Sequence, residues 1–127
     1  DIVSYCTKQG IAVFPGALTP QEIHNAWQAG ATMVKVFPAK VLGPSYFKEV
    51  KAPLGDIKLL ACGGVTPENK NEFFSNGADA VAFGASVFTQ ERLRNRDFTS
   101  IADHTRGMVT RELIGSRGRN RRKRGVQ

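Results

Sequence analysis

The chain lacks any apolar run of 18 residues, and a membrane-spanning helix needs about 20. Cysteine is scarce. Cys6 and Cys62 are too few for a disulfide scaffold, and no paired metal-ligand spacing surrounds them. No metal site is therefore expected, and free thiols suit a reducing compartment. The start, Asp1-Ile2-Val3-Ser4, has no initiator methionine and no basic stretch leading into an apolar one. It does not read as a secretory signal, and the chain reads as beginning partway through something longer. Acid is missing from the C-terminus: residues 115–127 hold Arg117, Arg119, Arg121, Arg122, Lys123 and Arg124, with no Asp or Glu.

That block explains most of the net charge of +7, since without it residues 1–114 carry only +1. A one-sign block repels itself and offers nothing apolar to bury, so 115–127 reads as a disordered tail. Contact with nucleic-acid phosphates is the weaker reading. The apolar content of 41% suits a chain with a packed core, and residues 1–114 are expected to form one unit.

Four short apolar runs are present: Ile11 to Phe14, Met33 to Phe37, Ile57 to Ala61, and Ala80 to Phe83. Each is too short for a buried helix and is bounded by turn residues. Their starts lie 22, 24 and 23 residues apart, which leaves room for a helix between each pair. Thr19-Pro20-Gln21-Glu22 is a capping box with proline at the first helical position. Ile23, Ala26, Trp27 and Gly30 then make one apolar stripe. Thr66-Pro67-Glu68-Asn69 is expected to open another helix in the same way, with Gly77 closing it. Residues 45–51 read as a short helix, and a last helix is expected from about Thr99 to Leu113.

Pro15 to Pro20 aligns with Cys62 to Pro67 at an offset of 47, and Ala29-Gly30-Ala31 aligns with Asn76-Gly77-Ala78 at the same offset. A repeat spanning two strand–helix units marks a duplicated architecture. Strands alternating with helices imply a parallel sheet. Eight such units would need roughly 185 residues, near the lower limit for a (β/α)8 barrel. The reading is therefore α/β, a (β/α)8 TIM barrel represented by its C-terminal half, strands five to eight. Residues 1–10 read as the tail of the helix before.

In such barrels the chemistry sits at the C-terminal ends of the strands. Lys35 lies within the second run, on one face with Met33 and Phe37. Desolvation disfavours an ammonium and frees an amine to attack a ketone; the bland alternative is a lysine snorkelling to water at an edge. Its partner in the 47-residue repeat is Ala82, so the lysine departs from the local pattern. Cys62-Gly63-Gly64 follows the third run and Gly84-Ala85-Ser86 the fourth. Glycines let backbone N–H groups approach an anion closely, and the loops after strands seven and eight are the usual phosphate site of these barrels. A phosphorylated substrate is expected. His24 and His104 fall within helices without partners in these motifs and read as structural. Asp79, at a strand entrance, reads as a stability residue.

Phe14-Pro15-Gly16 with Thr19-Pro20, Val34 to Ala39, Gly63 to Asn69, and Gly84-Ala85-Ser86 together resemble the 2-dehydro-3-deoxy-phosphogluconate aldolase / 4-hydroxy-2-oxoglutarate aldolase family. The resemblance covers residues 1–113. It implies a cofactor-free class I aldolase on a TIM barrel, trimeric and cytoplasmic, with an organellar address left open. It implies that Lys35 forms a Schiff base with the keto group. The substrate would be 2-dehydro-3-deoxy-6-phosphogluconate, or 4-hydroxy-2-oxoglutarate, giving pyruvate and an aldehyde. It further implies substrate contacts at Pro15, Gly16, Phe37, Cys62, Gly63, Gly64, Gly84 and Ser86.

Two positions depart from the family pattern. Cys62 stands where threonine is usual, and Lys40 where an acid is usual. The family's acid/base glutamate, on the second strand, has no counterpart in this sequence, so weak activity of this chain alone is expected. Two alternatives are another phosphate-binding barrel, thiamine-phosphate synthase-like, and a non-catalytic half-barrel that pairs with a further chain.

Overall fold

The structure is a computed structural model that describes residues 1–109. The basic tail expected at 115–127 and the end of the last helix at 110–113 lie outside the described residues. The elements run α1 (Ile2–Lys8), β1 (Gly16–Ala17), α2 (Pro20–Gln28), β2 (Val34–Val36), α3 (Ala39–Leu42), α4 (Pro44–Lys51), β3 (Leu59–Cys62), α5 (Lys70–Ser75), β4 (Ala80–Ala82), α6 (Gln90–Arg94) and α7 (Phe98–Val109). The four strands form one sheet in the order β1-β2-β3-β4. Every pair is parallel. Consecutive parallel neighbours joined through helices are the arrangement expected of half a (β/α)8 barrel.

Local sequence explains the helix ends. Thr19 Oγ1 accepts from Glu22 N (3.3 Å), while Glu22 Oε2 accepts from Thr19 N (2.8 Å) and Leu18 N (2.9 Å). These backbone donors, Thr19 first, hold the exposed Glu22 carboxyl below its ordinary pKa. The 47-residue repeat recurs at two helix ends. Gly30 and Gly77 both take positive φ, +96° and +99°. Ala31 N bonds Ala26 O, and Ala78 N bonds Phe73 O. Both pairs are the long bond of a Schellman cap, which glycine permits without steric cost.

One sheet face is sealed by helices. Val34, Val36, Leu59 and Ala61 are fully buried there, beneath Ile23, Phe47 and Phe73. Phe47 and Phe73 meet edge to face at 5.5 Å between ring centroids. The other face carries Gly16, Lys35, Leu60, Cys62, Ala80 and Ala82 by register. All but the exposed Gly16 are half-buried. Burial of the strands on both faces, as expected for a complete barrel, is thus met on the helix side only.

Several boundaries differ from the sequence reading. Residues 11–14 are not a strand. Val13 O accepts Thr32 N (2.9 Å), but Val13 N goes to the Thr32 hydroxyl (3.0 Å), and Pro15 has no N–H to offer. β3 begins at Leu59 rather than Ile57: Ile57 is buried, yet its carbonyl is taken by Lys51 Nζ at 2.6 Å instead of by a strand. α5 starts later than Thr66-Pro67 suggests. Thr66 and Asn69 cap each other (2.8 and 3.4 Å), but 67–69 form a turn before the helix. The short helices α3 and α6 have no counterpart in the sequence reading. Asp79 does serve stability at a strand entrance, since Oδ2 accepts from Leu59 N (2.8 Å) and Lys51 Nζ (2.7 Å).

Candidate active site

Lys35 sits mid-β2 on the unsealed face, paired in register with Gly16 on β1 and Leu60 on β3. It is half-buried, so the enclosed, dry setting expected of it is only partly formed. The reason is geometric: helices cover one face of this sheet, and the described residues place none over the other. A Cβ on Gly16 would stand 3.2 Å from Lys35 Cε and 3.7 Å from Nζ. The lysine stem therefore crosses the bare backbone of Gly16, and Lys35 N is held by Pro15 O at 2.8 Å. Nζ lies 6.0 Å from the centroid of the Phe37 ring, at the outer reach of a cation–π contact.

Phe37 links the lysine to the first glycine loop. Gly63 has φ +92°, and a Cβ there would fall 2.9 Å from the Phe37 ring. Gly64 has φ +76°, and a Cβ would fall 2.5 Å from Lys40 Cβ. Both backbone conformation and close packing thus require glycine at these two positions. Lys40 N also bonds Gly63 O (2.9 Å), and Asn69 Nδ2 bonds Gly64 O (3.0 Å). Cys62 stands two residues beyond Leu60 on the lysine's face, in register with Ala82.

The second loop is tied to the first. Ser86 Oγ donates to Val65 O at 2.8 Å, so its proton is engaged by the protein. The turn Gly84–Val87 closes through Val87 N and Phe88 N on Gly84 O (2.9 and 2.8 Å). The N–H groups of Gly64, Ala85 and Ser86 have no acceptor among the described residues. Backbone donors left open in glycine loops are what an anion site requires.

The structure therefore gathers Gly16, Lys35, Phe37 and Cys62 on one face. It places Gly63, Gly64, Gly84 and Ser86 in two loops at the C-terminal ends of β3 and β4. Pro15 contributes its carbonyl. His104, without a partner in the motifs, finds one outside them, Arg92 at 2.8 Å. Neither residue belongs to a short motif, so sequence spacing held no signal for the pair. A cavity of about 370 Å³ lies elsewhere, lined by Lys70, Phe74, Asp79, Phe83 and Met108, and touches none of the candidate residues. Among the described residues no cluster of His, Cys, Asp and Glu could hold a metal ion. No helix among them is long and apolar enough to cross a membrane.

Comparison with known proteins follows the same lines. The family described as "Aldolase: KDPG and KHG aldolase" matches residues 1–104. The chain is 36% identical over 89 residues to 2-dehydro-3-deoxy-6-phosphogalactonate aldolase of Escherichia coli (strain K12), covering 69% of this chain and 43% of that protein. It is 25% identical over 101 residues to 2-dehydro-3-deoxy-phosphogluconate aldolase of Treponema pallidum (strain Nichols), covering 79% and 48%. Among solved structures, one described as native KDPGal superposes with a TM-score of 0.73 at 32% identity, over 84% of this chain and 52% of that one. The chain spans about half the length of the curated relatives it matches.

Proposed function

We propose, since the chain belongs to the KDPG and KHG aldolase family, that it carries the Schiff-base half of a class I aldolase. The substrate would be a phosphorylated 2-keto-3-deoxy acid. The observation that carries this reading is the position of Lys35. Its amine projects across Gly16 on the unsealed face, and the Phe37 ring 6.0 Å from it packs on Gly63 of the first glycine loop.

In this reading the Lys35 amine attacks the keto carbon, and loss of water leaves an iminium. The C3–C4 bond then breaks. Its electron pair flows into the iminium to give an enamine, while a base removes the C4 hydroxyl proton as that carbon becomes an aldehyde. Protonation of the enamine at C3 and hydrolysis release pyruvate and regenerate the amine. The phosphate rests on the N–H groups of the two glycine loops. No cofactor takes part.

None of the strand positions on the lysine's face is a carboxylate. The proton shuttle must come from outside those positions, and such help is worth about 10² to 10⁴ in rate. Adduct formation is accordingly the property to test. Relatives named for both epimers stand close in identity, 36% for a galactonate form and 33% for a gluconate form, and both substrates fall in the class proposed. A homo-oligomer, trimeric by resemblance, belongs to the same reading.

Sodium borohydride added to the full chain with pyruvate should fix a covalent adduct that peptide mass spectrometry maps to Lys35. Wild-type chain that gains no adduct would remove the aldolase reading. A related expectation concerns Gly16. Gly16→Val puts methyl groups where the lysine stem runs, and misplacing a reacting group by about 1 Å can cost roughly 10²-fold. Trapping should slow by about tenfold or more. A rate equal to wild type would mean that the amine does not work from above Gly16.

A further inference from the structure

We propose that Arg92 is a positioning residue for the anion: its guanidinium sets the Gly84–Val87 turn whose open N–H groups receive the phosphate. This rests on the phosphate reading of the two glycine loops given above.

Arg92 lies in the first turn of α6, where its own N–H is capped by Thr89 Oγ1 (3.2 Å). Its side chain turns back towards β4. Nη1 donates to Ser86 O (3.1 Å) and Val87 O (3.0 Å). Nη2 stands 2.8 Å from His104 Nε2, and His104 Nδ1 stands 2.8 Å from Ser100 O. A carbonyl only accepts and a guanidinium only donates. The proton of His104 is therefore on Nδ1, and Nε2 receives Arg92. The imidazole, mounted on α7, fixes the plane of the guanidinium.

Two consequences follow for the turn. Carbonyls repel phosphate, and the two that end this turn are both taken up by a cation. The N–H groups of Ala85 and Ser86 remain without acceptors among the described residues. Because Ser86 Oγ is bonded to Val65 O (2.8 Å), whatever fixes Ser86 also fixes the end of the first glycine loop. A continuous path of hydrogen bonds thus runs from Ser100 on α7 through His104, Arg92 and Ser86 to Val65. The rigid fork of arginine reaches the two carbonyls from Nη1 and the ring nitrogen from Nη2, whereas a lysine ammonium would have to reach all three from a single point.

The test titrates the full chain with inorganic phosphate and follows the 15N amide shifts of Gly84, Ala85 and Ser86. Pyruvate–borohydride trapping and the thermal midpoint are measured on the same samples. Arg92→Met should weaken phosphate by about tenfold or more. Arg92→Lys should fall between Met and wild type. His104→Leu, which leaves the guanidinium unanchored, should weaken it by several-fold. His104→Gln, which can both donate and accept, should recover most of that loss. Trapping at Lys35 should stay within about twofold throughout.

Wild-type affinity in Arg92→Met would overturn the proposal. So would a parallel fall of phosphate affinity and trapping, which is the mark of general loosening. Should Arg92→Met fail to fold, Arg92→Lys and the His104 pair decide by the same criteria. Absence of phosphate binding in the wild type overturns it as well, together with the anion site. Failure of trapping in the wild type instead removes the Schiff base and leaves the titration result standing.

Discussion

Lys35→Met is expected to abolish the borohydride-trapped pyruvate adduct while leaving the fold in place. Among the described residues the Lys35 ammonium takes part in no hydrogen bond or salt bridge; its side chain meets Phe37 and Gly16. Methionine has nearly the same length and supplies the same apolar stem to the bare backbone of Gly16. Removing the amine therefore takes away the nucleophile without orphaning a buried partner, the usual source of large destabilisation. The thermal midpoint should shift by no more than corresponds to about 1 kcal/mol. Lysines at exposed positions such as Lys40 and Lys58 provide an internal control. An adduct persisting in Lys35→Met and mapping to one of them would show the chemistry to be non-specific. Unfolding of the variant would reveal a structural role that the contacts do not show.

The largest effect on stability should come from Phe47→Ala. Phe47 is completely buried on α4, its ring edge-to-face with Phe73 at 5.5 Å and Tyr46 at 6.3 Å. It stands at the centre of the layer that seals one face of the sheet. Truncating a phenylalanine in such a position costs about 3–5 kcal/mol, part transfer and part residual cavity. Domains of this size are held by roughly 5–15 kcal/mol, so a large share of the total is at stake. Calorimetry should show a midpoint lower by about 12 °C or more, at roughly 4–8 °C per kcal/mol. A drop of only a degree or two would mean that the α4–α5 layer is not the core it resembles. The same variant should leave local caps such as Thr19–Glu22 intact, because their bonds span three residues.

Features whose physics spans a few residues are legible in the sequence. The capping box at Thr19 and Glu22 forms as its spacing requires. The two glycines of the 47-residue repeat end their helices with the same bonds. The family resemblance is legible too, carried by the lysine motif and the glycine loops. Less is visible where partners come from distant parts of the chain. Ile57 belongs to an apolar run, yet Lys51 removes its carbonyl from the ladder. Ser86 reads as a phosphate ligand, yet its hydroxyl is engaged by Val65, 21 residues away. Arg92 and His104 stand 12 residues apart on two helices and form no motif.

The alternation of side chains, the helix caps and the glycine punctuation are encoded in neighbouring residues. From them the sequence alone determined a parallel α/β arrangement with Lys35 inside a strand and the glycine loops at strand ends. Packing decided the rest: which face the helices seal, how far Lys35 is buried, and which donors near the glycine loops remain open. Distances between loops depend on where whole helices come to rest, and that position is the joint result of every contact in the core.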